Sequence, residues 1–502
     1  MPFPTTPEIP PTRRPWRTAL LLIAGLAALL ALAVGLRTAS LSSRQLAVAP
    51  LPALPIDTAA AAERLGGAVR IRTVSIDGQP GASAAAFAEL HAHLERSFPL
   101  VHRTLKRELV NRHSLLYTWT GSDPLQPPIL LMAHQDVVPV AAGTEGDWQQ
   151  PPFSGALADG HVWGRGAWDD KGNLMAMFEA VERLIATGMQ PRRTVVFAFG
   201  HDEEMGSTAG RDGASAIAAL LRARGQRFAY ALDEGLLVTE GVMAGLDAPV
   251  ALIGVAEKGY LTLELTAHAH DGHSSMPPAR TAIGSLAAAL DALQHAPMPA
   301  DLDGIARGLF DTLAPEFSGP NRWLLSNLWL FGPLVQRQLE RMPSANAMLR
   351  TTIAPVSVRA GAKDNTLPAQ AVARLNLRLL PGDAPAAALD HVQRAVDAHG
   401  VRAASSPGGW AGSRVSRHDS AGYRQIERTI REVFPGALVA PGLMVGATDT
   451  RHYVDLVDDI YRFTPLRARP EDLPRFHGTN ERVAVDRYAE MIRFYHRLLS
   501  QS

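Results

Sequence analysis

The segment PILLMAHQD, residues Pro128–Asp136, is an unbroken apolar run that ends in an imidazole and a carboxylate. A run of this length suits a strand buried on both faces, as strands of parallel sheets are. Two more runs share the pattern. TVVFAF (Thr194–Phe199) leads into Gly200-His201-Asp202-Glu203-Glu204, and FAYAL (Phe228–Leu232) leads into Asp233-Glu234-Gly235. Between the first two, Leu174, Met177, Phe178, Val181, Leu184 and Ile185 recur at helical spacing. Strand–helix–strand alternation with buried strands predicts an α/β fold around a mostly parallel sheet. Ligands in such sheets bind just beyond the carboxyl ends of the strands. A single acidic loop is ordinarily only solvated. Three strands that each end in acidic or imidazole groups point to a site.

Within that site the residue types suggest metal-assisted hydrolysis. His134 and Asp136 are two apart, so on a strand they face the same way. His134 can bind a cation through one ring nitrogen, while Asp136 holds the other nitrogen or a neighbouring ligand. GRGAWDDKG (Gly164–Gly172) reads as a glycine-permitted loop before a helix that starts near Asn173. A carboxylate in that loop could bridge two cations. Glu203 and Glu204 are adjacent and point in different directions, so one can hold metal while the other faces substrate. A metal-held water beside a free carboxylate is the apparatus of hydrolysis. Near the carboxyl end, FHGTNE (Phe476–Glu481) supplies a further imidazole, His477.

Other regions have a different texture. Tyr260–Thr266 and Ala371–Leu379 alternate as half-exposed strands do, with helical patterns at about 278–294 and 384–399. This predicts a small α+β domain inserted in the larger one. Its apolar stretch Trp323–Val335 is too short to span a bilayer. It reads as a packed helix, with a surface for lipid or acyl chains as the alternative. At the amino terminus, Ala19–Leu36 carries no charge and would span roughly 27 Å as a helix, close to a bilayer core. The run exceeds the ~7–15 residues of a signal-peptide core, and Pro50 follows the small residues Ala47 and Ala49. An uncleaved single-span anchor is therefore expected in preference to a cleaved signal. Arg13, Arg14 and Arg17 precede the span, and Arg37 and Arg44 follow it. That balance places the leader in the cytoplasm and the body outside. Pro50, Pro52 and Pro55 suit a short stiff linker. The expected divisions are 1–45 (leader and anchor), 46–256 (catalytic domain, first part), 257–410 (inserted lid) and 411–502 (catalytic domain, second part).

Composition sets outer limits. The chain has 502 residues, 49 basic and 49 acidic, which argues against nucleic-acid binding through bulk charge. Apolar residues make up 46% and charged residues 20%, a core-forming balance. Cysteine is absent, which excludes disulfides, thiolate metal sites and a cysteine nucleophile.

Taken together, these motifs resemble metallopeptidase family twenty, the family of aminoacylases, carboxypeptidase G and carboxypeptidase S. The matching segments, in the family's order, are LMAHQDVVPV, GRGAWDDKG, GHDEEMG, ALDEG, DGHSSMPP, GAKDNTLP, LNLRLLPGD, VGATDTRHY and FHGTNERV. They run from about residue 60 to the end. The long lid and the DEG, GHSS and HGTNER forms look closest to carboxypeptidase S and the N-fatty-acyl-amino-acid synthase/hydrolase.

The resemblance implies a zinc-peptidase-like catalytic domain and a lid that can also serve dimerisation. It implies two zinc ions per subunit, one held by His134 and Asp233, the other by Glu204 and His477, with Asp169 bridging. Mn or Co could occupy the same ligands. Asp136 would orient His134, and Glu203 would be the general base. His273, in GHSS, would stabilise the oxyanion, across the subunit boundary in dimeric members. Asn365 and Arg378 would hold the substrate carboxylate, a bidentate task that suits a guanidinium. Thr448 and Asp449 receive no firm role, and His201 and Asp170 are expected to serve structure. Of only four lysines, Lys171, Lys258 and Lys363 (but not Lys106) lie in or beside the motifs and are expected to tolerate replacement least.

The expected activity is zinc-dependent cleavage of the amide bond to a carboxyl-terminal amino acid, as in a carboxypeptidase acting on short peptides. Hydrolysis or synthesis of N-fatty-acyl amino acids is the alternative within the enzyme class. An anchored, non-catalytic peptide- or metal-binding protein, or an anchored docking protein, is the alternative outside it. The expected partners are a small peptide or N-acyl amino acid, the membrane, and a second subunit through the lid.

Overall fold

The computed structural model describes residues 15–76, 78–79, 81–205 and 212–502. Arg13 and Arg14 of the leader lie outside them. The main sheet has eight strands. In spatial order they are Lys106–Val110, Ser114–Trp119, Val195–Gly200, Ile129–His134, Phe228–Thr239, Val457–Ala468, Val250–Glu257 and Leu438–Met444. The sheet is mixed. The central run from Val195–Gly200 through Val457–Ala468 is parallel, and so is the pair at the Leu438–Met444 edge. The other pairings are antiparallel. The three apolar runs of the sequence therefore lie side by side at the centre, with Leu130 opposite both Val196 and Ala231. Every residue of Ile129–His134 and of Val195–Gly200 is buried, as strands covered on both faces must be.

One face of this sheet is covered by the helices Thr58–Arg70, Lys171–Ala186, Ala421–Val433 and Val485–Ser500. The periodic residues Leu174, Met177, Phe178, Val181 and Leu184 are buried there. The helix Gly213–Ala223 covers part of the other face through Ile217, Ala218 and Leu221.

A separate antiparallel sheet runs Thr352–Ala360, Gln370–Leu379, Gly259–His268, Val401–Ser405. Leu261, Leu263 and Leu265 point to one face, as do Leu375, Leu377 and Leu379. There they meet Leu286, Leu293 and Val392 of the helices Ala282–Gln294 and Pro385–Val396. The chain segment between these two layers behaves differently. The helix Ile305–Leu313 packs Leu309 and Leu313 against Leu438 and Ala440 of the main sheet's edge strand. It thus caps an edge that would otherwise invite pairing.

The apolar stretch Trp323–Val335 is two helices, Gly319–Ser326 and Leu328–Leu339, where the sequence suggested one. Asn327 breaks them. It leaves helical geometry (φ −124°, ψ 44°), and its amide donates to Thr38 Oγ1 (2.9 Å) and to the Trp323 carbonyl (2.9 Å). The amino-terminal helix, Pro15–Ser40, contains a stretch long and apolar enough to cross a membrane, Ala19–Ser40.

Candidate metal centre

Two of the three apolar strands deliver their chemistry at or just past their carboxyl ends, whereas Asp233 and Glu234 lie within the third, Phe228–Thr239. His134 is the last residue of Ile129–His134 and pairs with Gly200, which opens the loop carrying Glu203 and Glu204. Asp169 sits just before the helix Lys171–Ala186. His477 comes from the loop before the short strand Arg482–Ala484.

Asp169 lies between two imidazoles. Its Oδ1 is 2.9 Å from His134 Nε2 and its Oδ2 is 2.7 Å from His477 Nε2. Glu204 Oε1 is 3.0 Å from the same His477 nitrogen, and Glu234 Oε1 is 3.4 Å from His134 Nε2. The structure thus brings His134, Asp169, Glu204 and His477 together, with Asp169 in a bridging position. Glu203 has a carboxylate oxygen within 4.8 Å of ligand atoms on His134 and Glu234.

Glu234 is the member that sequence reasoning missed. The Asp233 carboxylate accepts from the Glu234 N–H through Oδ1 (2.9 Å). Its Oδ2 is buried and has no hydrogen-bond partner among the described residues. Neighbours on a strand point to opposite sides, and the contact with His134 falls to Glu234.

The electrostatics fit bound cations. Burial pushes the Glu204 carboxyl up to about 8, aided by repulsion from Asp169. Burial likewise pushes Asp233 to about 7 and holds Glu234 well above the carboxylate range. Burial would lower His477, but hydrogen bonds to Asp169 and Glu204 take it to about 10. So many buried carboxyls around two imidazoles favour holding protons unless a positive charge compensates them, and a divalent cation would supply it. With the orphaned Asp233 Oδ2, that is the donor set expected of a divalent metal site with N and O ligands.

Two carboxylates hold the centre in place. Asp136 is fully buried; it accepts from Ser75 Oγ (2.6 Å) and from the backbone nitrogens of Glu203 (3.1 Å) and Glu204 (2.9 Å). Its backbone carbonyl is 3.0 Å from His134 Nδ1, and its carboxylate is 3.4 Å from the same atom. It therefore touches both the imidazole and the backbone of the Glu203–Glu204 loop.

Glu481 was quoted in its motif without a role. Its Oε1 accepts from the backbone nitrogens of Gly166 (2.9 Å), Trp168 (2.9 Å) and Asp169 (3.1 Å), and its Oε2 is 2.5 Å from Arg165 Nη1. Arg165 Nη2 in turn donates to the His477 carbonyl (3.0 Å). His477 has a φ of 56°, a conformation that a non-glycine residue keeps only when its surroundings impose it. His201 and Asp170 serve the scaffold: His201 Nδ1 pairs with Ser114 Oγ (2.7 Å), and Asp170 accepts from Asn173 (2.6 Å) and from the His134 nitrogen (3.3 Å). Thr448 bonds to Glu257 (3.0 Å), and Asp449 is buried.

The lid residues fall in two places. His273 and Asn365 are exposed and meet at the lid tip, where Ser274 donates to the Asn365 carbonyl (3.1 Å) and strand Gly272–His273 pairs with Thr366–Leu367. His273 Nδ1 contacts Ser275 Oγ at 2.8 Å. Arg378 is half-buried on Gln370–Leu379, with its guanidinium 5.1 Å from the centre of the Tyr260 ring. Burial lowers its pKa, and attraction to Tyr260 and then to Glu203 opposes this. Lys171 and Lys258 are fully buried, each bound to two carbonyls. Lys363 is exposed.

Comparison with known proteins supplies the relationship. The model of peptidase family M20/M25/M40 matches residues 130–501. The chain is 40% identical over 444 residues to the N-fatty-acyl-amino acid synthase/hydrolase PM20D1 of Xenopus tropicalis, covering 88% of this chain and 85% of that one. It is 33% identical over 481 residues to carboxypeptidase S of Saccharomyces cerevisiae, covering 86% and 82%. In fold it is similar to the M20 family metallo-carboxypeptidase Sso-CP2 of Sulfolobus solfataricus, with a TM-score of 0.64, 18% identity and coverage of 89% and 99%.

Proposed function

This chain belongs to peptidase family M20/M25/M40 and is a hydrolase, and on that premise we propose that it cleaves the amide bond to a carboxyl-terminal amino acid. The observation that carries this reading is Asp169 set between His134 and His477, with the Glu203–Glu204 pair beside them. His134, Asp169, Glu204 and His477 would hold two divalent cations, with Glu234 and Asp233 completing the set; the N and O donors suit zinc. Such cations, when bound, polarise a carbonyl and lower the pKa of a held water.

This chain's own groups do the rest. Glu203 takes the proton from the attacking water and passes it to the leaving amine. Arg378, on the lid sheet, binds the free carboxylate, with Asn365 as a second donor once the lid tip approaches. His273 donates to the oxyanion of the tetrahedral intermediate. Its place at the exposed tip suits delivery by lid movement or from a partner subunit.

The acyl side divides two readings. A short peptide makes the protein a carboxypeptidase, as the name of the yeast relative describes. A fatty acyl chain makes it an N-acyl-amino-acid hydrolase, the activity in the name of the Xenopus relative, and the apolar helices between Gly319 and Leu339 favour it. Parallel assays on a Gly-X dipeptide and an N-oleoyl amino acid, with added zinc, decide between them. No turnover of either substrate by a zinc-loaded chain would overturn the proposal.

A further inference from the structure

The last turn of the amino-terminal helix is docked, while the rest of that helix is bare. Only 6% of its most apolar window is buried. At its end, however, Val34 and Thr38 are buried, Arg37 Nε donates to the Ser326 carbonyl (2.8 Å) and Thr38 Oγ1 accepts from Asn327 (2.9 Å). Arg322 then donates to the Leu41 carbonyl (3.2 Å). The helices Gly319–Ser326 and Leu328–Leu339 are thus held at the level where the apolar run stops.

These helices carry an uncovered apolar face at that level. Trp323 and Trp329 are 51% and 50% exposed, and Leu334 is 58% exposed. Both tryptophans are tied to Asn327, one through its backbone carbonyl (2.9 Å) and the other through its indole N–H (3.2 Å). They therefore sit beside Thr38. From Ser318 to Leu339 there is no acidic residue, while Arg322, Arg337 and Arg341 are interspersed or follow. Tryptophan with arginine, at the end of an apolar helix, is the composition of a membrane–water boundary. A surface of this kind on a water-facing domain would be costly to leave bare.

We propose that the helices Gly319–Ser326 and Leu328–Leu339 rest in the interfacial layer of the bilayer crossed by the amino-terminal helix, with Trp323 and Trp329 among the lipid headgroups. The occupant of the face is lipid, and the argument is its continuity with the apolar helix. It does not rest on the hydrolase reading. Arg337 and Arg341, both exposed, would meet lipid phosphates, and Asn327 sets the depth.

The test uses the full chain in nanodiscs at one copy per disc. Because the chain has no cysteine, single Trp323→Cys, Trp329→Cys and Leu125→Cys variants each take one environment-sensitive fluorophore. Leu125 lies in the exposed turn before the central strand Ile129–His134. The expected result is blue-shifted emission at 323 and 329, with loss of fluorescence when the discs carry shallow nitroxide-labelled lipid, and neither effect at 125. Agreement of either variant suffices if the other misfolds. Probes at 323 and 329 that behave like the one at 125 would overturn the proposal. So would shielding without quenching by labelled lipid, which would mean that protein covers the face, and so would a mature chain that has lost the amino-terminal helix.

Discussion

Glu481 accepts a hydrogen bond from the backbone nitrogen of Asp169 at 3.1 Å, so the carboxylate set between the two imidazoles is positioned by a residue 312 places further along the chain. The same Oε1 accepts from Gly166 and Trp168, and Oε2 meets Arg165. Removing the charge leaves Arg165 buried without its partner, at a cost of about 3 kcal/mol or more. Glu481→Gln should lower the unfolding midpoint and cut turnover together. A variant with the unchanged midpoint of the parent would show that the loop is held by other contacts.

Glu203→Gln separates chemistry from assembly. The substitution keeps the side chain's size and removes the proton acceptor. Turnover should fall by ~10²–10⁴-fold, the usual contribution of a positioned general base, while metal content by elemental analysis stays the same. Normal turnover would remove Glu203 from the mechanism.

Asp136→Asn should act on both metal and rate. The amide can accept from only one oxygen, yet the native carboxylate accepts from Ser75, Glu203 and Glu204 through both. Metal affinity should weaken by ~10–100-fold, as for other groups that support ligating histidines, and turnover should drop even at saturating metal. Competition with a chelator measures the first and steady-state kinetics the second.

Chelation should also loosen the fold. Burial holds the Glu204, Asp233 and Glu234 carboxyls above the usual range, and repulsion from Asp169 or Glu203 adds to it, so a bound cation would relieve both. A ligand that binds only the native state adds stability with its concentration, about 2.7 kcal/mol at one hundred times its dissociation constant. Thermal unfolding after EDTA treatment should therefore show a lower midpoint, restored by zinc.

Lys258 should leave a signature in alkaline stability. Burial pulls its ammonium down to about 7, whereas an unfolded lysine titrates near 10.4. Between those values the unfolded chain holds a proton that the folded chain has lost, so this residue makes stability rise with pH. Below about 7 both states are protonated and its slope vanishes. Lys258→Met should flatten the rise between pH 7.5 and 9.5 in denaturant titrations; an unchanged slope would assign it to other groups.

The central strands and most of the centre were legible because their signal is local: an apolar run that stops at His134, Glu203–Glu204 or Asp233–Glu234. What the sequence concealed depended on pairing at a distance. Glu234 could not be separated from Asp233, since strand phase relative to His134 is set by neighbours. The strand Val457–Ala468 was missed because Asp459 and Arg462 interrupt it, yet Asp459 pairs with Arg417 (2.7 Å) and Arg462 with Glu257 (3.0 Å). Glu481 looked like an ordinary loop acid until three backbone nitrogens converged on it.

The contacts of the linker have a mechanical consequence. After Thr38 the chain continues to the main body: Gln45 exchanges hydrogen bonds with Val439 (3.0 and 2.7 Å), Arg431 donates to the Leu46 carbonyl (3.1 Å) and Arg493 to that of Leu54 (3.0 Å). The helix Ile305–Leu313 binds the same edge strand. Were the amino-terminal helix to lie in a bilayer, these contacts would tie the main sheet to it. The cluster at Asp169 would then keep a constant altitude above the lipid, a ruler for the reach of any substrate that stays partly in the membrane.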